Sequence, residues 1–351
     1  MRTTRLLSLL FALTLTTAAL AQPKILSVTP STGPATGGTQ VTVMGEGFLF
    51  SCGPITCPPS EIRFNGVRAR ETHTVSDTTI VAVTPEHFPG TVDVTLAHSS
   101  LNEVTLANAF TFTGPMPETA FARVLLPIFT PPVRGAFGSE FRTEFRIAGN
   151  GGGFSTYGLR NDTANCAPIL CLDLPDPISF TADDVLGPAF PIYNGNPGRF
   201  IYVPRNQLPN MAANLRVADV SRSALNFGTE IPVVADTELR DQVIELLGVP
   251  TDARFRNTLR IYGIDAPFVG VTVEGRPRVT LLMRQGTSIF EPAYAVFTDF
   301  PTGVGPVNVT IHAPIPLGMP PAPPPPFTPI WAFVSVTNNE TQMITTITPQ
   351  P

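Results

Sequence analysis

Hydrophobic and polar positions alternate along most of the chain. Thr39, Val41 and Val43 stand against Gln40, Thr42 and Met44, and Val92, Val94 and Leu96 alternate with their neighbours. A period of two puts successive side chains on opposite faces, so such runs predict half-buried strands. Strands are expected over residues 24–28, 39–44, 61–64, 79–84, 91–96 and 106–112. Asn65-Gly66 and Pro89-Gly90 mark turns between them. These six are part of an expected set of about seven short strands in about 90 residues, the spacing of a two-sheet sandwich.

A linker containing Gly114, Pro115 and Pro117 follows. Beyond it, strands are expected at 141–147, 200–203, 214–217, 256–261, 269–273, 278–283, 293–297, 307–312, 330–336 and 342–347. One short helix is expected after Asp236, a fair N-cap. Leu239, Val243, Leu246 and Leu247 form its stripe, and Gly248 and Pro250 stop it. Phe141-Arg142-Thr143-Glu144-Phe145-Arg146-Ile147 is echoed by Phe255-Arg256-Asn257-Thr258-Leu259-Arg260-Ile261, each run preceded by an apolar–Pro–apolar step. The echo suggests two related β-sandwich units, 120–228 and 229–351, which one domain could also contain. The expected class is all-β.

The first segment carries a resemblance. Its pieces are Pro23-Lys24-Ile25, Val28-x-Pro30, Gly33-Pro34, Gly37-Gly38-Thr39, Val41-x-Val43-x-Gly45-x-Gly47-Phe48, Phe64-x-Gly66, Val83-Thr84-Pro85, Pro89-Gly90-x-Val92-x-Val94 and Phe110-x-Phe112. Residues 23–114 thus resemble an IPT/TIG domain. The resemblance implies an immunoglobulin-like fold and a spacer or binding role, with no catalytic residues to carry over. The insert 49–60 departs from the family pattern and lengthens one loop. The rest resembles, weakly, uncharacterised β-modules of secreted bacterial proteins.

The N-terminus reads as a signal peptide over residues 1–21. Arg2 and Arg5 precede an apolar run, and Ala19-Leu20-Ala21 sets cleavage between Ala21 and Gln22. The run is short for a membrane span, and no later segment is apolar enough for one. The expected location is therefore secreted, periplasmic or cell-surface. In an oxidising compartment the four cysteines are expected to pair as Cys52–Cys57 and Cys166–Cys171, pinning two loops. Their Cys-x4-Cys spacing is wide for structural zinc.

Loss of Arg2 and Arg5 with the leader takes the net charge from −5 to −7. No basic stripe offsets it, so nucleic acid is not an expected partner. The histidines, His73, His87, His98 and His312, form no local ligand motif. Asp173, Asp176, Asp183 and Asp184 lack the alternation of a calcium loop and read as a solvated acidic loop. The run Gly149-Asn150-Gly151-Gly152-Gly153 reads as a flexible turn. The nine prolines between Ala313 and Pro329 read as a rigid strap leading into the last strands. Trp331 begins an alternating strand and is expected to be buried. No catalytic residue, cofactor or metal ligand stands out. The sequence points to a structural, adhesive or interaction protein meeting a protein or glycan at the cell surface. A carbohydrate-binding protein and an unrecognised secreted enzyme are the alternatives.

Overall fold

A computed structural model describes residues 23–49, 60–97, 103–115, 119–149, 156–158, 178–181, 196–221, 227–286, 288–313 and 328–349. The signal segment, all four cysteines, Asp173, Asp176, Asp183, Asp184, His98 and most of the proline strap lie outside these residues.

Strands β1 (Lys24–Thr29), β2 (Thr32–Pro34), β3 (Gln40–Glu46), β4 (Glu61–Phe64), β5 (Val67–Arg68), β6 (Glu71–Ser76), β7 (Thr79–Val83), β8 (Gly90–Ala97) and β9 (Val104–Thr113) form the first sandwich. Its sheets run β1-β3-β7-β6 and β2-β9-β8-β4-β5. The alternation in β3 sends Val41 and Val43 inward, against a core centred on Phe64, Phe110 and Phe112. These three rings meet edge to face at 4.9–5.9 Å, a favoured aromatic geometry. Gly37 carries a positive φ of 71°, and a Cβ there would lie 2.4 Å from the Pro85 carbonyl oxygen, so the turn requires glycine.

A second pair of sheets follows. It uses β10 (Phe121–Leu126), β11 (Val133–Arg134), β12 (Glu140–Gly149), β13 (Ile178–Thr181), β14 (Arg199–Pro204), β15 (Met211–Asp219), β16 (Thr229–Ile231) and β17 (Val234–Ala235). The orders are β14-β10-β17 and β11-β12-β15-β16, with β13 also on β12. The third pair uses β18 (Ile244–Val249), β19 (Phe255–Gly263), β20 (Phe268–Val273), β21 (Val279–Leu282), β22 (Ala293–Phe297), β23 (Val307–His312), β24 (Ile330–Asn338) and β25 (Ile344–Ile347). Its sheets are β18-β23-β20-β21 and β22-β19-β24-β25.

The second and third pairs repeat one pairing scheme. β10–β14 corresponds to β18–β23, β12–β13 to β19–β22, β12–β15 to β19–β24, and β15–β16 to β24–β25, all antiparallel. The two echoing sequences occupy equivalent strands, with Phe141 opposite Asp219 and Phe255 opposite Asn338. Both partners turn the chain in the same way. Asp219 accepts from the Ser221 amide at 3.0 Å, and Asn338 from the Glu340 and Thr341 amides at 2.8 and 3.0 Å.

β24 is covered on both faces. Ile330, Ala332, Val334 and Val336 enter the third core, whereas Trp331 and Phe333 join the second, together with Tyr262 and Tyr294. Val67 and Phe88 of the first sandwich join that second core too. Phe88 packs against Tyr157 at 4.5 Å, Phe121 at 5.3 Å and Tyr202 at 5.5 Å.

The expected helix is corrected. Asp236–Glu238 is a single 3-10 turn, and the chain then enters β18. Ile244 and Leu246 are buried while Glu245 and Leu247 are exposed, a period of two that pairing with β23 imposes over the helical stripe. Gly248, expected to stop a helix, has φ of 72° where the β18–β23 register shifts, and so marks a bulge. Asp236 caps no α-helix. Its carboxylate accepts the Arg123 amide at 3.1 Å and two Arg205 bonds at 2.7 and 3.2 Å, joining segments 113 and 31 residues away. Asp236→Ala is expected to lower stability by roughly 1 kcal/mol in denaturant titration, since the amide is part-buried while Arg205 is solvated.

Candidate functional site

A cavity of about 410 Å³ lies between β12 and β15 on one side and β19 and β24 on the other. Along β19, Leu259 and Ile261 point into the third core, so alternation turns Arg256, Thr258 and Arg260 the other way. Register with β24 sets Arg256 beside Thr337, Thr258 beside Ser335 and Arg260 beside Phe333. The floor thus grades from polar to aromatic. Thr143 and Phe141 of β12 contribute to the facing wall.

The rim is a tight turn after β11. The Gly135 amide bonds the Ser139 carbonyl at 2.8 Å, and the Ser139 hydroxyl donates to the Ala136 carbonyl at 2.8 Å. A Cβ on Gly135 would come within 2.5 Å of the Phe141 ring. Between them Phe137 sits at φ 57°, ψ 31°, with 67% of its surface exposed. A bulky side chain in the left-handed region costs roughly 1–3 kcal/mol, and an exposed aromatic ring gains little burial to offset that. The Arg256 guanidinium carbon is 5.9 Å from the Phe137 ring centre.

Both arginines are held by neutral groups. Arg256 donates to Asn339 Oδ1 at 3.0 Å and Gln342 Oε1 at 2.7 Å, and burial pushes its pKa down. Arg260 donates to the Ser335 hydroxyl, lies over the Phe333 ring at 5.9 Å, and reaches the Tyr294 hydroxyl. Burial raises the Tyr294 pKa, against the smaller opposing pull of Arg260. The Arg260 Nε is buried and has no hydrogen-bond partner among the described residues. Neither arginine forms an ion pair with a described carboxylate, and the described cavity lining contains no Asp or Glu.

The residues singled out from sequence lie elsewhere. His73 is exposed on β6, and His312 Nε2 lies 3.2 Å from the Thr272 hydroxyl. Trp331 is buried, as expected. His87 is buried where the first sandwich meets the second pair. It stacks on Phe112 at 4.6 Å and meets the Tyr157 ring edge-on at 5.6 Å. Its Nδ1–H donates to the Phe88 carbonyl at 2.8 Å, and burial lowers its pKa to about 4. Sequence reasoning missed Phe137, Arg256 and Arg260, although the echo passed directly over the two arginines. Among the described residues, no three His, Cys, Asp or Glu side chains converge to hold a metal ion. No described helix is long and apolar enough to cross a membrane.

Residues 23–113 match the family model of the IPT/TIG domain. This segment is an IPT/TIG domain. No curated protein matches the chain significantly. Among solved structures, the chain is similar to an auxiliary nutrient binding protein from Bacteroides thetaiotaomicron, at 11% identity and TM-score 0.21, covering 35% of this chain and 27% of that one. It is similar to a γ-CGTase from alkalophilic Bacillus clarkii, at 16% identity and TM-score 0.22, covering 61% and 25%. It is also similar to a surface glycan-binding protein from Prevotella bryantii, at 10% identity and TM-score 0.20, covering 94% and 99%. The match spans only about a quarter of the length of the first two. The IPT/TIG domain lies outside the cavity lining and reaches the second core through Val67 and Phe88.

Proposed function

We propose that the protein is an exported, non-catalytic glycan-binding protein of the bacterial cell surface, and that the cavity between the second and third sheet pairs is its binding site. In this reading the IPT/TIG domain is a spacer, and the second sheet pair, which runs through β17, and the third, which begins at β18, supply the two walls. Processing at Ala21/Gln22 and the bridges Cys52–Cys57 and Cys166–Cys171 belong to the same exported state.

The observation that carries the reading is Phe137, an exposed ring in a costly backbone conformation, next in the chain to the lining residues Gly135 and Ala136 and 5.9 Å from Arg256 of a cavity lined by hydroxyl and guanidinium donors. A sugar offers an apolar ring face for stacking and a hydroxyl edge for hydrogen bonding, and this arrangement offers the complement of both. Retaining and inverting glycosidases need paired carboxylates, and the described lining supplies none, which favours binding over hydrolysis.

Screening the mature chain against an array of plant, fungal and bacterial glycans tests the proposal. Phe137→Ala is expected to weaken the best ligand on the order of tenfold and leave the melting temperature unchanged, because the ring is exposed. A flat array profile overturns the reading.

A further inference from the structure

Building on the glycan-binding reading, we infer that the ligand is an acidic polysaccharide whose carboxylates are taken by Arg256 and Arg260. Ion pairs elsewhere in the protein supply arginines with carboxylates: Arg205 has Asp236, Arg254 has Asp252 and Arg276 has Asp299. These pairs are at the surface, where water would solvate the guanidinium in any case. Arg256 and Arg260 are half-buried in the cavity, where that solvation is reduced, yet only neutral oxygens meet them among the described residues. Withdrawing a cation from water without a counter-charge is unfavourable, so the cavity carries a standing preference for an anion.

The geometry selects among anions. The two arginines share one face of β19, four residues apart, so their backbone origins are about 13 Å apart along the strand. Arg256 leans toward Asn339 and Gln342, beyond the end of β24, whereas Arg260 leans back to Ser335. One small carboxylate cannot reach both groups. A chain of sugars bearing repeated carboxylates can, and Thr258 lies between the two arginines along β19 to meet its hydroxyls. The rim ring of Phe137 beside Arg256 gives the same end of the cavity a stacking surface.

The test is calorimetric titration of the mature chain with three probes: oligogalacturonate, the same oligomer with its carboxyls methyl-esterified, and neutral oligosaccharides of similar length. Oligogalacturonate is expected to bind at least about tenfold more tightly than its ester, because charge-assisted bonds to guanidinium are lost on esterification. Arg256→Gln and Arg260→Gln are each expected to remove most of that difference. The comparison of acid with ester uses the unaltered protein, so it stands even if a variant fails to fold. Equal binding of acid, ester and neutral oligomers overturns this inference and leaves the glycan-binding reading intact. Binding of none of them, together with a flat glycan array, overturns both.

Discussion

Phe333→Ala is expected to cost about 3–5 kcal/mol of stability, the range for emptying a fully buried aromatic site. The ring has no exposed surface and sits on the face of β24 that joins the second core, 5.3 Å from Trp331. It also lies opposite Arg260 in the β19–β24 register and beneath the Arg260 guanidinium. The cavity left behind would therefore loosen the site's floor as well as the core. Denaturant unfolding measures the loss. Phe227→Ala, at a ring 84% exposed, should change stability by no more than about 0.5 kcal/mol in the same experiment. Equal effects at the two positions would show that β24 is not a shared wall between two interiors.

Acidification gives the second large effect. His87 is buried and neutral, with its pKa pushed from 6.5 to about 4, first by desolvation and against a smaller opposing effect of its bond to the Phe88 carbonyl. Glu86 is its sequence neighbour, and Tyr157 is the titratable side chain packed on it from the second pair. Because the unfolded chain takes up this proton more readily than the folded one, stability rises with pH. The contribution of the neutral ring is complete above pH 6.5 and is lost as pH falls through about 4. A shift of this size corresponds to about 3 kcal/mol between those limits. His87→Phe keeps a ring on Phe112 and removes the titration. The difference in unfolding free energy between variant and parent should move by about that amount between pH 7 and pH 4 in favour of the variant, whatever the carboxylates common to both proteins do. A constant difference across the range would place His87 outside the pH response.

Much of the strand content was legible in the sequence, because one apolar face per strand leaves a period-two trace. Residues 40–44, 91–96 and 307–312 show it, and all lie in strands. The segment after Asp236 misled because Leu239, Val243, Leu246 and Leu247 fit a helical stripe, while Ile244 and Leu246 also fit a strand. The pairing partner β23, some 60 residues away, decided between them. β10 escaped because Phe121-Ala122-Arg123-Val124-Leu125-Leu126 hardly alternates. It is buried on both faces except at Arg123.

The cavity was not legible, and the echo shows why. Arg142 and Arg146 on β12 are equivalent to Arg256 and Arg260 on β19, in nearly the same local sequence. The first two are exposed and the second two are half-buried. The difference lies in what each sheet faces, which local sequence does not encode. One clue was available. The run from Ile330 to Val336 contains no charged residue, as a strand enclosed on both sides requires, and the polar residues of its neighbour β19 therefore face protein rather than open water.

That enclosed strand narrows the paths by which the protein can change. A residue on an ordinary sandwich strand answers to one interior and can drift on its other side. Between Ile330 and Val336 there is no idle side: odd positions are bound to one neighbourhood and even positions to another. A length change of a single residue would exchange the two sets and misfit both at once. Variation around the cavity is thus confined to the strand ends, the rim turn and the side chains of β19, while the partition between the two interiors stays fixed.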